Sequence, residues 1–177
     1  MSIKDIFLQI FKHNKQQVNY KQYTLPDNKL IQLINDNSGW AVLSMKAESN
    51  DVIGCDISYT TNVAFDIINF FIQAIEDEKN KYSVSFDGEP TTYTLTAQNG
   101  KVIYRKDYSK KITLQGSALE LAKQVLEDIN TNVEGWATFH YSNNPNTKQD
   151  NSEQIAQSVE QLNIALNKLQ SLVNNRA

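Results

Sequence analysis

Residues 63–78 read VAFDIINFFIQAIEDE, and this stretch decides the fold. Four of its polar side chains recur at helical spacing and form one narrow stripe, while apolar side chains cover the rest. They are Asp66, Asn69, Gln73 and Glu76. A helix with so little polar surface is buried on most sides, so the sequence predicts a central core helix. The preceding residues 60–62, Thr-Thr-Asn, are candidates for its N-cap.

A series of short strands follows this helix. Residues 81–107 read KYSVSFDGEPTTYTLTAQNGKVIYRKD, in which apolar and polar side chains alternate. Gly88-Glu89-Pro90 breaks the first strand, and Gln98-Asn99-Gly100 is a hairpin signal. A fourth short strand is predicted at 110–114. Strands joined by such short turns are antiparallel, so this region is predicted to be a meander.

Further elements are predicted on both sides of this centre. The apolar spacing of residues 3–14 predicts an amphipathic helix, and four strands are expected at 17–25, 29–34, 40–47 and 52–59. Ser117 and Glu120 form a capping box that opens a helix over 117–131, and a last strand is expected at 135–141. The predicted fold class is α+β: an antiparallel meander sheet packed against a central hydrophobic helix, with N-terminal and C-terminal amphipathic helices.

The C-terminal part of the chain is set apart by composition. We predict an α+β domain over 1–142, a polar linker over 143–151 and an amphipathic helix over 152–177. The helix has a heptad seam formed by Ile155, Val159, Leu162, Leu166, Leu169 and Val173. Charged pairs beside the seam are few, which favours docking of the helix on its own domain. A homodimer through residues 152–175 is the alternative.

Composition bounds the class of protein. The 177 residues carry a net charge of −3, and 40% of them are hydrophobic. Cys55 is the only cysteine, and no apolar run reaches the length of a membrane span. These features predict a cytoplasmic protein that neither enters a membrane nor binds nucleic acid directly.

Few residues could carry chemistry. The sequence has no metal-ligand spacing, no glycine-rich phosphate loop and no nucleophile elbow, so neither a metal nor a cofactor is expected. Cys55 with the distant His140 is the one conceivable nucleophilic pair, and Asp87 with Glu89 is a conceivable acid/base pair. A lone cysteine in an apolar strand is usually a small core residue, and acidic residues in a turn are usually solvated. We therefore predict no catalytic residues and no enzyme activity.

Acidic residues are concentrated in the middle of the chain. Residues 51–142 hold thirteen acidic and eight basic side chains. Three acids end the central helix, where the helix dipole disfavours negative charge. An acidic surface suits a basic partner and speeds its association. The predicted partner-binding residues are Glu76, Asp77, Glu78, Asp87 and Glu89.

Residues 40–131 resemble a known protein class. The hydrophobic helix, the strand end Phe86-Asp87 followed by Glu89-Pro90, the short meander and the helix over 116–129 are similar to immunity proteins of contact-dependent growth inhibition and other bacterial polymorphic toxin systems. The resemblance implies a non-enzymatic inhibitor that binds a cognate toxin domain, often a nuclease with a basic cleft. Such proteins share no catalytic residues, and their toxin contacts differ from pair to pair.

Other functions fit the same residues. A protein-binding adaptor, a secretion chaperone or a phage-encoded inhibitor could use the C-terminal helix to bind a partner or a second copy. An enzyme of a class without a recognisable motif is a third alternative.

Overall fold

Seven strands and four helices form the part of the chain described by the computed structural model, which covers residues 22–36, 38–139 and 152–176. The strands are β1 (Ile31–Asn35), β2 (Trp40–Lys46), β3 (Val52–Ser58), β4 (Tyr82–Asp87), β5 (Thr92–Gln98), β6 (Lys101–Lys106) and β7 (Ile112–Thr113). The helices are α1 (Val63–Glu76), α2 (Ala118–Asn130), α3 (Val133–Thr138) and α4 (Ser152–Arg176). The predicted α+β class is confirmed.

The strands form two antiparallel sheets. One has the order β1-β2-β3 and the other β4-β5-β6-β7, so each is a meander in chain order. An isolated bridge between Ala47 and Leu114 joins the sheets. Beside it, the Gln115 N–H donates to the Lys46 carbonyl at 2.8 Å. The predicted meander is confirmed, and the structure adds that β1–β3 form a second sheet.

The tight turn between β5 and β6 sets the register of these two strands. Asn99 and Gly100 form a two-residue loop with φ values of 52° and 72°. Both residue types tolerate this left-handed conformation, which suits a hairpin turn. Pairing then runs outward from Gln98 opposite Lys101 to Tyr93 opposite Lys106.

Helix α1 is the centre of the core, as predicted. It packs against β4, α2 and α4. Its buried side chains are Val63, Ala64, Ile67, Ile68, Phe70, Phe71, Ile72, Ala74 and Ile75. Phe71 is fully buried, so its truncation to alanine would cost about 3–5 kcal/mol. Asn62 occupies the N-cap position, but its side chain makes no capping hydrogen bond.

Helix α2 begins with the predicted capping box. The Ser117 hydroxyl accepts a hydrogen bond from the Glu120 N–H, and the Glu120 carboxylate accepts one from the Ser117 N–H at 2.7 Å. These hydrogen bonds from Ser117 to the carboxylate hold the pKa of Glu120 below its usual value.

Helix α2 also covers the outer edge of β1. The Gln124 side-chain oxygen accepts hydrogen bonds from the N–H groups of Leu30 and Ile31, at 2.7 and 3.1 Å. The Asp128 carboxylate accepts one from the Leu33 N–H at 2.9 Å and forms an ion pair with Lys29. Two side chains of one helix thus satisfy backbone donors of the edge strand.

The predicted strand over 135–141 is wrong for its described part. Residues 133–138 form helix α3, in which the Asn132 side chain accepts a hydrogen bond from the Gly135 N–H at 3.0 Å. Trp136 and Phe139 are both buried, and their ring centroids lie 5.9 Å apart. Residues three apart share a helix face, whereas in a strand they would point to opposite sides. The N-cap and this spacing outweigh the apparent alternation.

Helix α4 packs on its own chain through the predicted seam. Leu162, Leu166, Leu169 and Val173 are buried in the same core cluster as α1. The helix contacts α1, α2 and α3, whereas Ile155 and Val159 near its start are only partly buried. The seam predicted as a possible dimer surface is therefore largely covered by α1–α3.

Several predictions fall wholly or partly outside the described residues. The N-terminal helix over 3–14 and the whole of the linker over 143–151 are among them. So is the larger part of the strand expected at 17–25, whose described residues 22–25 have no regular structure.

Candidate functional site

The five predicted partner-binding acids lie in two groups at opposite ends of α1. Glu76, Asp77 and Glu78 lie at the C-terminal end of the helix. Asp87 lies near its other end, where the Thr60 hydroxyl donates to the Asp87 carboxylate at 3.3 Å. A helix of 14 residues is about 21 Å long, so the two groups form separate surfaces.

The acids at the C-terminal end of α1 are paired within the chain. Lys168 of α4 lies 2.8 Å from the Glu76 carboxylate, and Arg176 lies 2.7 Å from that of Glu78. The Asp77 carboxylate accepts hydrogen bonds from Asn80 and from the Tyr82 hydroxyl. The two cations from α4 offset the unfavourable placement of negative charge at a helix C-terminus.

Asp87 and Glu89 belong to a second group, which we call the acidic sheet end, together with Asp107. Asp87 ends β4 and pairs with Thr92 at the start of β5. The Asp107 carboxylate accepts a hydrogen bond from the Thr92 N–H at 2.8 Å, and the Asp107 N–H donates to the Thr92 carbonyl at 2.7 Å. All three carboxylates are therefore carried at the same end of the larger sheet.

Sequence reasoning missed Asp107, although a signal for it was present. The Asn99-Gly100 turn fixes the register of β5 and β6, and counting outward from it places Asp107 just beyond the last paired residue, beside Thr92. Using the hairpin turn to assign the pairing of β5 with β6 would have identified this residue.

The turn that carries Glu89 is tightly packed. A Cβ atom on Gly88 would lie 2.2 Å from the Tyr93 ring and 2.7 Å from the Asp56 carbonyl oxygen. The Asp87 carboxylate accepts a hydrogen bond from the Glu89 N–H at 3.0 Å. Glu89 and Asp107 have φ values of 33° and 44°, in the region that non-glycine residues rarely adopt. The backbone at Glu89 and Asp107 is thus constrained, and the carboxylates of Asp87 and Asp107 accept hydrogen bonds from within the chain.

An aromatic side chain stands beside these acids. Tyr108 directly follows Asp107 and is fully exposed, with 101% of its reference surface accessible. Lys106 and Lys110 lie in the same segment and are also exposed. The sheet end therefore presents three carboxylates and an unburied tyrosine, with two lysines at its flank.

The residues considered for catalysis are not assembled into a reactive site in the described part of the chain. Cys55 is 0% exposed, and burial together with the neighbouring Asp56 raises the pKa of its thiol far above the usual value. A buried protonated thiol is a poor nucleophile. His140 lies outside the described residues. Asp87 and Glu89 are exposed, and the Asp87 carboxylate is used in folding the turn.

The described residues contain neither a metal-binding group nor a membrane-spanning helix. Across 22–36, 38–139 and 152–176, no three His, Cys, Asp or Glu side chains are grouped so that they could hold a metal ion. No described helix is both long enough and apolar enough to cross a membrane.

Comparison of the chain with protein-family models, with curated proteins and with solved structures finds no match in any of the three. The resemblance to immunity proteins stays a prediction that rests on the pattern of residues 40–131.

Proposed function

We propose that this protein is a non-enzymatic, cytoplasmic immunity protein that binds a cognate bacterial toxin domain through the acidic sheet end. The observation that carries the proposal is the placement of Asp87, Glu89 and Asp107 at one end of the larger sheet, with the fully exposed Tyr108 next to Asp107 in the chain. Of the five acids predicted to bind a partner, Asp87 and Glu89 are the two kept in this role. Glu76 and Glu78 are paired with α4.

The physical support for this role is a site organised before binding. The Asp87 and Asp107 carboxylates already accept hydrogen bonds from the chain, so they lose little conformational freedom when a partner binds. Negative charge attracts the basic cleft of an enzyme that acts on nucleic acid and speeds encounter. Tyrosine is among the residues that most often dominate binding energy at interfaces. The same carboxylates would repel phosphate, so the proposed partner is the toxin protein.

The alternative functions that use the C-terminal helix have less support. An adaptor or a dimer built on the α4 seam would need Leu166 and Leu169, which are buried against the chain's own helices. Exposing them again would cost several kcal/mol, since each buried leucine contributes about 1.5–3 kcal/mol. The acidic sheet end is available without such a rearrangement.

The test is affinity capture from the native host, including the product of the gene immediately upstream, followed by a neutralisation assay. We expect one polypeptide with a toxic domain to be captured in stoichiometric amount and to be neutralised by this chain. Glu89→Lys and Tyr108→Ala should weaken both binding and protection. Glu160→Lys is the matched control, because Glu160 is an exposed acid on α4. Capture of copies of this chain alone, or equal effects of the control, would overturn the proposal.

A further inference from the structure

The outward face of the larger sheet, which we call the outer sheet face, has a regular arrangement of hydroxyl groups. Ser83 on β4 pairs with Thr96 on β5, and their hydroxyl oxygens lie 2.9 Å apart. Ser85 and Thr94 form an equivalent pair at 3.1 Å. In each pair one hydroxyl donates to the other, so the accepting hydroxyl keeps its own proton. Each pair therefore offers one O–H donor to an incoming acceptor.

Cationic side chains surround these hydroxyl pairs. Arg105 lies opposite Thr94 in the pairing of β5 with β6, and Lys81 and Lys111 line the same groove. The groove has a volume of about 300 Å³, and no aspartate or glutamate is among the described residues that line it. In a chain with a net charge of −3, this face is a locally positive surface.

Hydroxyl donors and cations together select an anionic partner that accepts hydrogen bonds. Carboxylates accept bonds from both groups, and an arginine can bind one in a two-pronged geometry. The face extends over neighbouring strands, which suits a segment with several carboxylates better than a single small anion. The charge is opposite to that of the acidic sheet end, so the two surfaces suit different partner chemistry.

We propose that the outer sheet face binds an acidic segment of a partner protein. This inference is independent of the toxin-binding role proposed for the acidic sheet end. A nucleic acid fits less well, because binding of single strands relies on aromatic side chains for base stacking, and the described groove residues include none. A membrane surface fits less well, because Ile103 is the sole large apolar side chain among those residues.

A direct binding measurement tests this proposal. The probe is a fluorescein-labelled oligoglutamate peptide. Its binding is measured by fluorescence anisotropy at low and at physiological salt. We expect saturable binding that weakens as salt rises, since the contacts are ionic and exposed. The variant Arg105→Gln/Lys111→Gln should weaken binding about fivefold, the loss expected for two ionic contacts at the surface.

The control uses the residue next to Arg105. Lys106 follows it on the same strand, but successive side chains of a strand point to opposite faces. Lys106→Gln removes the same charge from the other side and should change the affinity by less than about twofold. If the Arg105 variant fails to fold, as judged by its thermal unfolding, Lys81→Gln/Lys111→Gln replaces it, because both lysines are exposed.

Three outcomes would overturn the inference. They are absence of oligoglutamate binding to the unaltered protein, equal weakening in the Lys106→Gln control, and tighter binding of a single-stranded RNA or of phosphatidylserine vesicles at this face. Failure of toxin neutralisation would leave it intact, because the peptide assay does not involve the acidic sheet end.

Discussion

Arg176 and Glu78 lie 98 positions apart in the chain, and their side chains meet at 2.7 Å. Together with the Lys168–Glu76 pair, this contact ties the C-terminal half of α4 to the end of α1. Both pairs are half exposed, and such pairs contribute only about 0–1 kcal/mol each. They orient the helix, whereas burial of its apolar seam supplies most of the attachment energy.

The seam and the ion pairs can be separated by substitution. Leu169 is 0% exposed, so Leu169→Ala should lower the free energy of unfolding by about 2–5 kcal/mol. Arg176→Gln should lower it by less than about 1 kcal/mol. Urea unfolding followed by circular dichroism measures both changes. Ile164→Ala on the same helix is the control, because Ile164 is 63% exposed and should have little effect. Equal losses at 164 and 169 would contradict the observed docking of α4.

The ion pair between Lys29 and Asp128 should be worth more than the pairs on α4. Its side chains are only 18% and 10% exposed, and Asp128 also accepts from the Leu33 N–H. Asp128→Ala leaves a mostly buried cation and a backbone donor unpaired, so we expect a loss of about 3 kcal/mol. The exposed Lys101–Glu48 pair is the control, and Glu48→Ala should cost less than about 1 kcal/mol. Denaturant titration of both variants measures the two losses in unfolding free energy. Similar losses would contradict the larger contribution expected for the Lys29–Asp128 pair.

The capping box of α2 predicts a pH dependence. Ser117→Ala should destabilise the protein by about 1 kcal/mol at neutral pH. The pKa of Glu120 is lowered in the folded protein, so its ionised form favours folding. This contribution is fully present above the usual glutamate pKa of about 4.3 and is lost as the pH falls through the lower, folded-state value.

Glu120→Gln tests the sign of this dependence. The difference in unfolding free energy between the unaltered protein and this variant should be largest near neutral pH and should shrink in acid. Thermal unfolding at a series of pH values measures it. A difference that grew on acidification would show that the Glu120 carboxylate is not held by Ser117 as described.

Two glycines should respond differently to substitution because they are needed for different reasons. Gly88→Ala places a Cβ against the Tyr93 ring and the Asp56 carbonyl, so we expect a loss of about 1–3 kcal/mol and a displaced Glu89 turn. Gly100 has a φ of 72°, and a Cβ added there would lie 3.8 Å from its nearest neighbour. Glycine is therefore favoured here by the backbone conformation and not by a lack of space for a side chain. Gly100→Asn should be tolerated, because asparagine adopts this conformation. Chemical unfolding measures the loss of unfolding free energy in both variants. A larger loss for Gly100→Asn than for Gly88→Ala would contradict the reasons given for the two glycines.

Local signals in the sequence predicted local structure well. The apolar surface of residues 63–76 predicted α1, the Ser117–Glu120 box predicted the start of α2, and the Asn99-Gly100 turn predicted the β5–β6 hairpin. Each of these depends on residues close together in the chain. Alternation over 135–141 misled because so short a stretch fits the helical period as well as the strand period, and the Asn132 cap that favours a helix in the described part lies outside it.

The arrangement of the acids could not be predicted in the same way. Five residues close in sequence lie at two ends of a helix, because β4 returns along α1 and carries Asp87 back to Thr60. Glu76 and Glu78 each form an ion pair with a residue of α4 that lies about a hundred positions later in the chain. Nothing near either acid in the sequence indicates that contact. Long-range contacts of this kind are set by packing of the whole core.

The covering of β1 by Gln124 and Asp128 has a consequence for self-association. An uncovered edge strand offers a row of donors on which another chain can build, and that is how many β-rich proteins polymerise. Here the donors at Leu30, Ile31 and Leu33 are occupied by α2. Detachment of α2 would leave these three donors without their side-chain acceptors at the edge of the sheet. The docking of this one helix therefore protects the edge strand from pairing with another chain.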